Sequence, residues 1–197
     1  MITHTIGVVC QWIIDRIVYV LSLLRISPNM LTIVGLLINF YAAYLFAEDR
    51  FVAAGGVVIF AGLFDMLDGQ VARLTNRVSA FGAFLDSVID RYSDVVLFIG
   101  LLIYYARVRR FFYVVLVAIV MAGSVMVSYT RARAESLIPQ CKVGFLERPE
   151  RIVLIIIGAL FNRMAAVLWV IAVLSNVTVF HRCLYTWKET LNSPKVS

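Results

Sequence analysis

Residues 65–90 read DMLDGQVARLTNRVSAFGAFLDSVID and place four carboxylates in a chain that is otherwise strongly apolar. Asp65 and Asp68 are three residues apart, and Asp86 and Asp90 are four apart. Each pair therefore shares one face of its own helix, about one turn from its partner. Two such helices lying side by side can direct all four carboxylates at one point. Ionisable groups inside a membrane are costly and usually functional, so this stretch is the candidate functional site.

This carboxylate pattern predicts a bound divalent cation. Four negative charges at one point repel one another unless a cation lies among them. Oxygen ligands are typical of hard ions such as Mg²⁺ or Mn²⁺, and the stretch contains no His or Cys that would favour zinc. The predicted metal ligands are Asp65, Asp68, Asp86 and Asp90. In the alternative interpretation these are only solvated charges at two helix ends, which would not require this spacing twice.

The composition predicts an all-α integral membrane protein. The 197 residues are 62% hydrophobic, with a mean hydropathy of +0.91, which excludes an ordinary soluble domain. We expect one domain, residues 1–197, with six transmembrane helices. The predicted spans are residues 30–47, 51–63, 81–105, 112–130, 152–161 and 164–179, the second continuing as helix to Arg73.

The two ends of the chain have their own patterns. Residues 6–24 place Gln11, Asp15 and Arg16 on one arc of an otherwise apolar helix, which predicts an amphipathic helix lying in the membrane interface. A true first span is the alternative. Residues 188–197 are predicted to be a flexible tail.

The net charge of +6 fits basic residues flanking membrane spans, and we expect no nucleic-acid partner. If the connector at 74–80 faces the cytoplasm, 13 of the 18 Lys and Arg residues lie on that side. The positive-inside tendency then predicts a multi-pass protein of the cytoplasmic membrane with its site facing the cytoplasm.

The stretch 65–90 resembles the signature of the CDP-alcohol phosphatidyltransferase family. All eight fixed positions are filled: Asp65, Asp68, Gly69, Ala72, Arg73, Gly82, Asp86 and Asp90. The resemblance implies an enzyme of phospholipid synthesis that transfers the phosphatidyl group of CDP-diacylglycerol to an alcohol and releases CMP. It further implies two metal ions, contact with membrane lipids and a homodimer.

The resemblance also implies roles for individual residues. Asp90 would act as general base as well as ligand. Gly69 would let the nucleotide approach the backbone, and Arg73 would hold phosphate oxygens. The residues predicted to bind the CDP-lipid are Pro28, Asn29, Thr32, Gly69, Arg73, Ser79 and Gly82.

Five arginines at the predicted cytoplasmic level favour a phosphorylated acceptor over a neutral alcohol. They are Arg131, Arg133, Arg148, Arg151 and Arg182. Residues 129–135 and 147–151 resemble segments of the phosphatidylinositol-phosphate synthase branch, whose acceptor is inositol phosphate. Glycerol 3-phosphate, as in phosphatidylglycerophosphate synthases, stays open. Arginines that only contact anionic lipids at the interface are the alternative to a binding pocket.

A carboxylate-based cation transporter is the competing hypothesis from another class of protein. It predicts carboxylates near the middle of broken spans, whereas here they lie beside a basic connector. It also leaves Gly69 and Arg73 without a role.

Overall fold

The computed structural model describes residue 16, residues 27–75 and residues 77–192, which form six α-helices and no β-strand. The helices are α1 (Pro28–Ala47), α2 (Phe51–Leu74), α3 (Ala80–Arg107), α4 (Phe111–Ala134), α5 (Arg148–Leu160) and α6 (Met164–Asn192). The all-α prediction is confirmed, and each predicted span lies within one helix, except that the fifth runs one residue past the end of α5. The predicted interfacial helix, residues 6–24, lies outside the described residues apart from Arg16.

Four helical segments are long and apolar enough to cross a membrane. They are Pro28–Ala47, Phe51–Leu74, Phe111–Glu135 and Met164–Leu191. The first half of α3 carries several charges, and the 13 residues of α5 span only about 20 Å. The other two of the six predicted spans stay predictions.

The last helix is longer than the sequence predicted. It continues from Met164 to Asn192, so residues 188–192 are helical where a flexible tail was expected. Residues 193–197 of that tail lie outside the described residues.

Tight turns reverse the chain between α1 and α2, α3 and α4, and α5 and α6. Each turn contains one residue in the left-handed conformation, namely Asp49, Arg109 or Asn162, with φ of 62°, 55° and 52°. Asn and Asp tolerate this conformation better than most residues because their short side chains can bond locally. The three turns lie at one end of the bundle, because they alternate with the connectors that follow α2 and α4 at the other end.

The main hydrophobic core fills the half of the bundle that contains these three turns. It includes Phe46, Phe98, Val117 and Leu168, all completely buried. At Gly100 the backbones of α1 and α3 touch, because a Cβ atom there would overlap the backbone of Ala43. The candidate site lies in the other half, where the N-termini of α1, α3 and α5 meet the C-terminal parts of α2, α4 and α6.

Candidate active site

The structure brings the four signature carboxylates together on the facing parts of α2 and α3. Asp65 interacts electrostatically with Asp68, Asp86 and Asp90. Asp68 is buried, and the side chains of Asp65 and Asp90 are only 21% and 19% exposed. The predicted placement of the carboxylates is therefore confirmed, because α2 and α3 present both pairs to one region.

A guanidinium group lies among these carboxylates. Arg148 Nη2 is 2.7 Å from Asp65 Oδ2, and its Nη1 is 2.9 Å from Asp90 Oδ1. Its Nε is 3.8 Å from Oδ1 of the buried Asp94. Burial lowers the pKa of the guanidinium, but Asp90, Asp65 and Asp94 raise it, and the net shift is upward. The side chain of Arg148 is thus positively charged and lies at the centre of the cluster.

Asp68 is held from the opposite side by α1. The hydroxyl of Thr32 donates a 2.6 Å hydrogen bond to Asp68 Oδ2 in a buried setting. The sequence predicted Thr32 as a residue binding the CDP-lipid but did not reveal this bond. Because 36 residues separate the two groups, no local pattern could have shown it.

The donor set suits a hard divalent ion. All four signature side chains offer oxygen, and the charge they share is partly balanced by Arg148. Within the described parts of the chain, no three His, Cys, Asp or Glu groups already have the spacing of ligands around one ion. Two of the four signature carboxylates, Asp65 and Asp90, are arranged around the nitrogens of Arg148.

One cavity, of about 270 Å³, opens between the ends of α1, α2 and α3. We call it the α1–α3 cavity. All seven residues predicted to bind the CDP-lipid line it, and Asp68 and Asp86 form part of its wall. At position 82 a Cβ atom would lie 3.1 Å from Ser79 Oγ and 3.5 Å from Asn29 Oδ1, so glycine keeps this wall open.

A second cavity, of about 360 Å³, lies on the other side of the carboxylates. We call it the α3–α6 cavity, since its lining comes from α3, α4, α5, α6 and the loop before α5. Asp90 and Asp94 belong to its wall, together with three of the five predicted acceptor arginines, Arg131, Arg148 and Arg182. The two cavities thus meet at the carboxylate cluster.

The other two predicted acceptor arginines do not line this cavity. Arg133 is exposed, and its Nη1 donates to Ser136 Oγ at 3.2 Å. Arg151 is completely buried and forms an ion pair with Asp94. Its Nε and Nη1 have no hydrogen-bond partner among the residues that the structure describes. Arg133 therefore faces away from the site, and Arg151 joins α5 to α3 beneath it.

Glu147 is a site residue that the sequence analysis missed. Its Oε1 accepts hydrogen bonds from Arg131 Nη1 at 3.0 Å and from Arg182 Nη2 at 2.9 Å. Arg182 is also buried, and it donates to the carbonyl oxygens of Val127 and Val143 at 2.6 Å and 2.8 Å. Its guanidinium therefore ties α6 to α4 and to the loop before α5.

The two cavities, one bordered by Asp68 and Asp86 and the other lined by both arginines and carboxylates, agree with the family comparison. Residues 25–181 match the family described as CDP-alcohol phosphatidyltransferase. The chain belongs to the CDP-alcohol phosphatidyltransferase family. It is therefore an enzyme of phospholipid synthesis, and the transporter hypothesis is set aside.

Two relatives within the CDP-alcohol phosphatidyltransferase family are similar to this chain over most of their length. The chain is 40% identical to an archaetidylinositol phosphate synthase of Pyrococcus horikoshii, over 90% of this chain and 92% of that protein. Its fold resembles the crystal structure of Mycobacterium tuberculosis phosphatidylinositol phosphate synthase with CDP-DAG bound, with a TM-score of 0.84, 34% identity and coverage of 89% and 94%. A structure of that same protein in complex with manganese and citrate gives a TM-score of 0.81 at 34% identity, with coverage of 88% for both chains.

Proposed function

We propose that this enzyme transfers the phosphatidyl group of CDP-diacylglycerol to a hydroxyl group of inositol phosphate and releases CMP. The observation that carries the proposal is the pair of cavities meeting at the carboxylates, one lined by Arg131, Arg148 and Arg182. The relatives described above support the acceptor, because their names differ in the lipid and share inositol phosphate.

The α1–α3 cavity is the proposed site for the CDP part of the donor. The N-termini of α1 and α3 lie at this cavity, and helix N-termini favour phosphate groups. Arg73 lies on the same wall, where its planar guanidinium can donate to phosphate oxygens. The open wall at Gly82 leaves room for the nucleotide.

The proposed metal site consists of Asp65, Asp68, Asp86 and Asp90. A divalent ion bound there, Mg²⁺ or Mn²⁺, would neutralise the charge of the pyrophosphate. The family resemblance implies two such ions. Thr32 fixes the orientation of one of these carboxylates by its bond to Asp68.

Asp90 is the proposed general base because it lies on the wall of the α3–α6 cavity, where the acceptor would bind. The acceptor oxygen forms a bond to the phosphorus that carries diacylglycerol. The bond from that phosphorus to the CMP oxygen breaks, and CMP leaves with the electron pair. The proton of the attacking hydroxyl passes to the carboxylate of Asp90.

Arginine side chains in the α3–α6 cavity can donate to a phosphate dianion, beside the acidic residues of the same lining, Asp90, Asp94, Glu135 and Glu147. Arg131, Arg148 and Arg182 present guanidinium groups on three different helices. Charge-assisted hydrogen bonds to phosphate are stronger than those to a neutral hydroxyl. This favours a phosphorylated acceptor over free inositol or serine.

The proposal includes the setting of the enzyme. We infer six membrane spans, a location in the cytoplasmic membrane, a site open to the cytoplasm and a homodimer. The large exposed apolar side chains, such as Phe40, Phe60, Phe112 and Trp169, support a surface in contact with lipid.

The test is CMP release by the purified full chain with CDP-diacylglycerol and Mg²⁺ or Mn²⁺. Inositol 1-phosphate, glycerol 3-phosphate, inositol and serine are offered separately. We expect CMP only with inositol 1-phosphate. Release with glycerol 3-phosphate alone would change the acceptor, and release only with an unphosphorylated alcohol would overturn the role of the arginines. Asp90→Asn is the control, and it should bind CDP-diacylglycerol without releasing CMP.

A further inference from the structure

Arg148 holds two proposed metal ligands at the same time. Its two terminal nitrogens reach Asp65 on α2 and Asp90 on α3, at 2.7 Å and 2.9 Å. In the part of the chain that the structure describes, no other cationic side chain forms an ion pair with either carboxylate. The guanidinium therefore supplies the positive charge that the cluster needs when no metal is bound.

A divalent ion and this guanidinium would compete for the same oxygens. Asp65 Oδ2 and Asp90 Oδ1 are the atoms that Arg148 contacts, and two cations on the same carboxylates repel each other strongly where water is largely excluded. The side chain of Arg148 is 25% exposed and also lines the α3–α6 cavity. It can therefore leave the carboxylates without leaving the site.

The three other arginines of that cavity have their own partners, and Arg91 donates from Nη1 to the carbonyl oxygen of Ser87. Arg131 pairs with Glu135 and Glu147, and Arg182 pairs with Glu147 and two backbone carbonyls. Both would keep these partners when metal binds, because none of these partners belongs to the carboxylate cluster. Arg148 is the cavity arginine whose partners the metal would take.

We infer that Arg148 is the built-in counter-ion of the metal-free site, that a divalent metal displaces it from Asp65 and Asp90, and that the freed guanidinium then serves the phosphorylated acceptor. The inference rests on the metal site in the proposed function. Its consequence is a positive coupling between metal and acceptor binding, which linkage makes reciprocal. The acceptor site is completed only after the metal site is filled.

The first experiment measures Mn²⁺ binding to the full chain without nucleotide or acceptor, from the electron paramagnetic resonance signal of free Mn²⁺. Removing the two ion pairs that oppose the metal, of which the one to Asp65 is also a hydrogen bond, should make Arg148→Gln bind Mn²⁺ at least about tenfold more tightly than the unmodified chain. Arg91→Gln is the matched control. Arg91 lines the same cavity and acts on Asp86, but its Nη1 donates to the carbonyl of Ser87. Its removal should change Mn²⁺ affinity by no more than about threefold.

The second experiment measures inositol 1-phosphate binding by calorimetry with and without Mn²⁺, in the absence of CDP-diacylglycerol. In the unmodified chain we expect Mn²⁺ to strengthen this binding. In Arg148→Gln the strengthening should be several-fold smaller. A direct contact between metal and phosphate would survive in the variant, so the difference between the two proteins isolates the part carried by Arg148.

The outcomes separate the inference from the proposed function. If the unmodified chain binds Mn²⁺ and Arg148→Gln binds it equally or more weakly, the inference is wrong and the metal site stands. If the unmodified chain binds no Mn²⁺, the inference is wrong, and the CMP-release test decides the proposed function separately. Should Arg148→Gln fail to fold, Arg148→Lys gives the decision, because one ammonium nitrogen replaces two separate donors. It should bind Mn²⁺ more tightly than the unmodified chain, and an unchanged affinity would overturn the inference.

Discussion

Thr32 on α1 donates a 2.6 Å hydrogen bond to Asp68 Oδ2 on α2, and both residues are buried. This bond links the first helix to a carboxylate of the proposed metal site. It restricts the rotation of that carboxylate, since one of its oxygens is already engaged.

Thr32→Val should lower kcat/KM for CMP release by about tenfold, because a buried hydrogen bond to a charged group is lost at nearly constant volume. It should also weaken Mn²⁺ binding, measured by titration. Thr32→Ser keeps the hydroxyl and should recover most of both. Equal losses in the Val and Ser variants would show that the methyl group, and not the hydrogen bond, matters.

Gly82→Ala should raise the KM for CDP-diacylglycerol by about tenfold without changing the KM for inositol 1-phosphate. The added Cβ would lie 3.1 Å from Ser79 Oγ, inside the α1–α3 cavity. Gly62→Ala is the control, because a Cβ there meets nothing within 4 Å. Steady-state kinetics with each substrate varied in turn gives the comparison, and similar effects at both positions would argue against a local block.

Arg131→Gln should raise the KM for inositol 1-phosphate by about tenfold or more and leave the KM for CDP-diacylglycerol unchanged. Arg133→Gln provides a matched control two residues away on the same helix, since its side chain does not line the α3–α6 cavity. It should alter neither constant. An effect of Arg133→Gln as large as that of Arg131→Gln would place the acceptor elsewhere.

Arg151→Met should destabilise the fold by about 3 to 5 kcal/mol, because it leaves the buried carboxylate of Asp94 with only the longer, 3.8 Å contact to Arg148 Nε. Asp94→Asn combined with Arg151→Met should recover much of that loss. The free energy of unfolding in mild detergent is the measurement. A stable Arg151→Met with a raised KM for inositol 1-phosphate would instead make Arg151 an acceptor ligand, as the sequence predicted.

Helical periodicity was sufficient to predict the carboxylate cluster, whereas the residues that line the α1–α3 cavity were predicted from the family resemblance. Asp65, Asp68, Asp86 and Asp90 lie on long regular helices, so their spacing alone determines the face they share. The seven residues of the CDP-lipid set lie at the ends of α1, α2 and α3; a short connector joins α2 to α3, and the packing of α1 against both brings its N-terminus to the same cavity.

The arginines show where sequence reasoning was insufficient. Hydropathy places Arg131, Arg133 and Arg151 at one level of the membrane but does not give the direction of each side chain around its helix. Arg131 faces the α3–α6 cavity, Arg133 faces outward and Arg151 is buried against Asp94. The role of Glu147 depends on residues 16 and 35 positions away, which only the packing of α4 and α6 reveals.

The end of α6 was misjudged for a related reason. His181 and Arg182 follow the predicted span, which ends at residue 179, and the chain from residue 188 was predicted to be a flexible tail. In the structure, Arg182 is buried and its nitrogens are satisfied by the carbonyls of Val127 and Val143 and by Glu147. A charge neutralised in this way does not interrupt the helix.

The contact between Gly100 and Ala43 affects the width of the α1–α3 cavity, although the two lie far apart. Gly82 lies 18 residues earlier on the same helix, about 27 Å away at the rise of an α-helix. The helices α1 and α3 touch near one end and enclose the α1–α3 cavity at the other. The point at which they cross therefore affects the distance between Asn29 and Gly82. The width of the α1–α3 cavity is therefore affected by two small residues buried near the opposite end of the helix bundle.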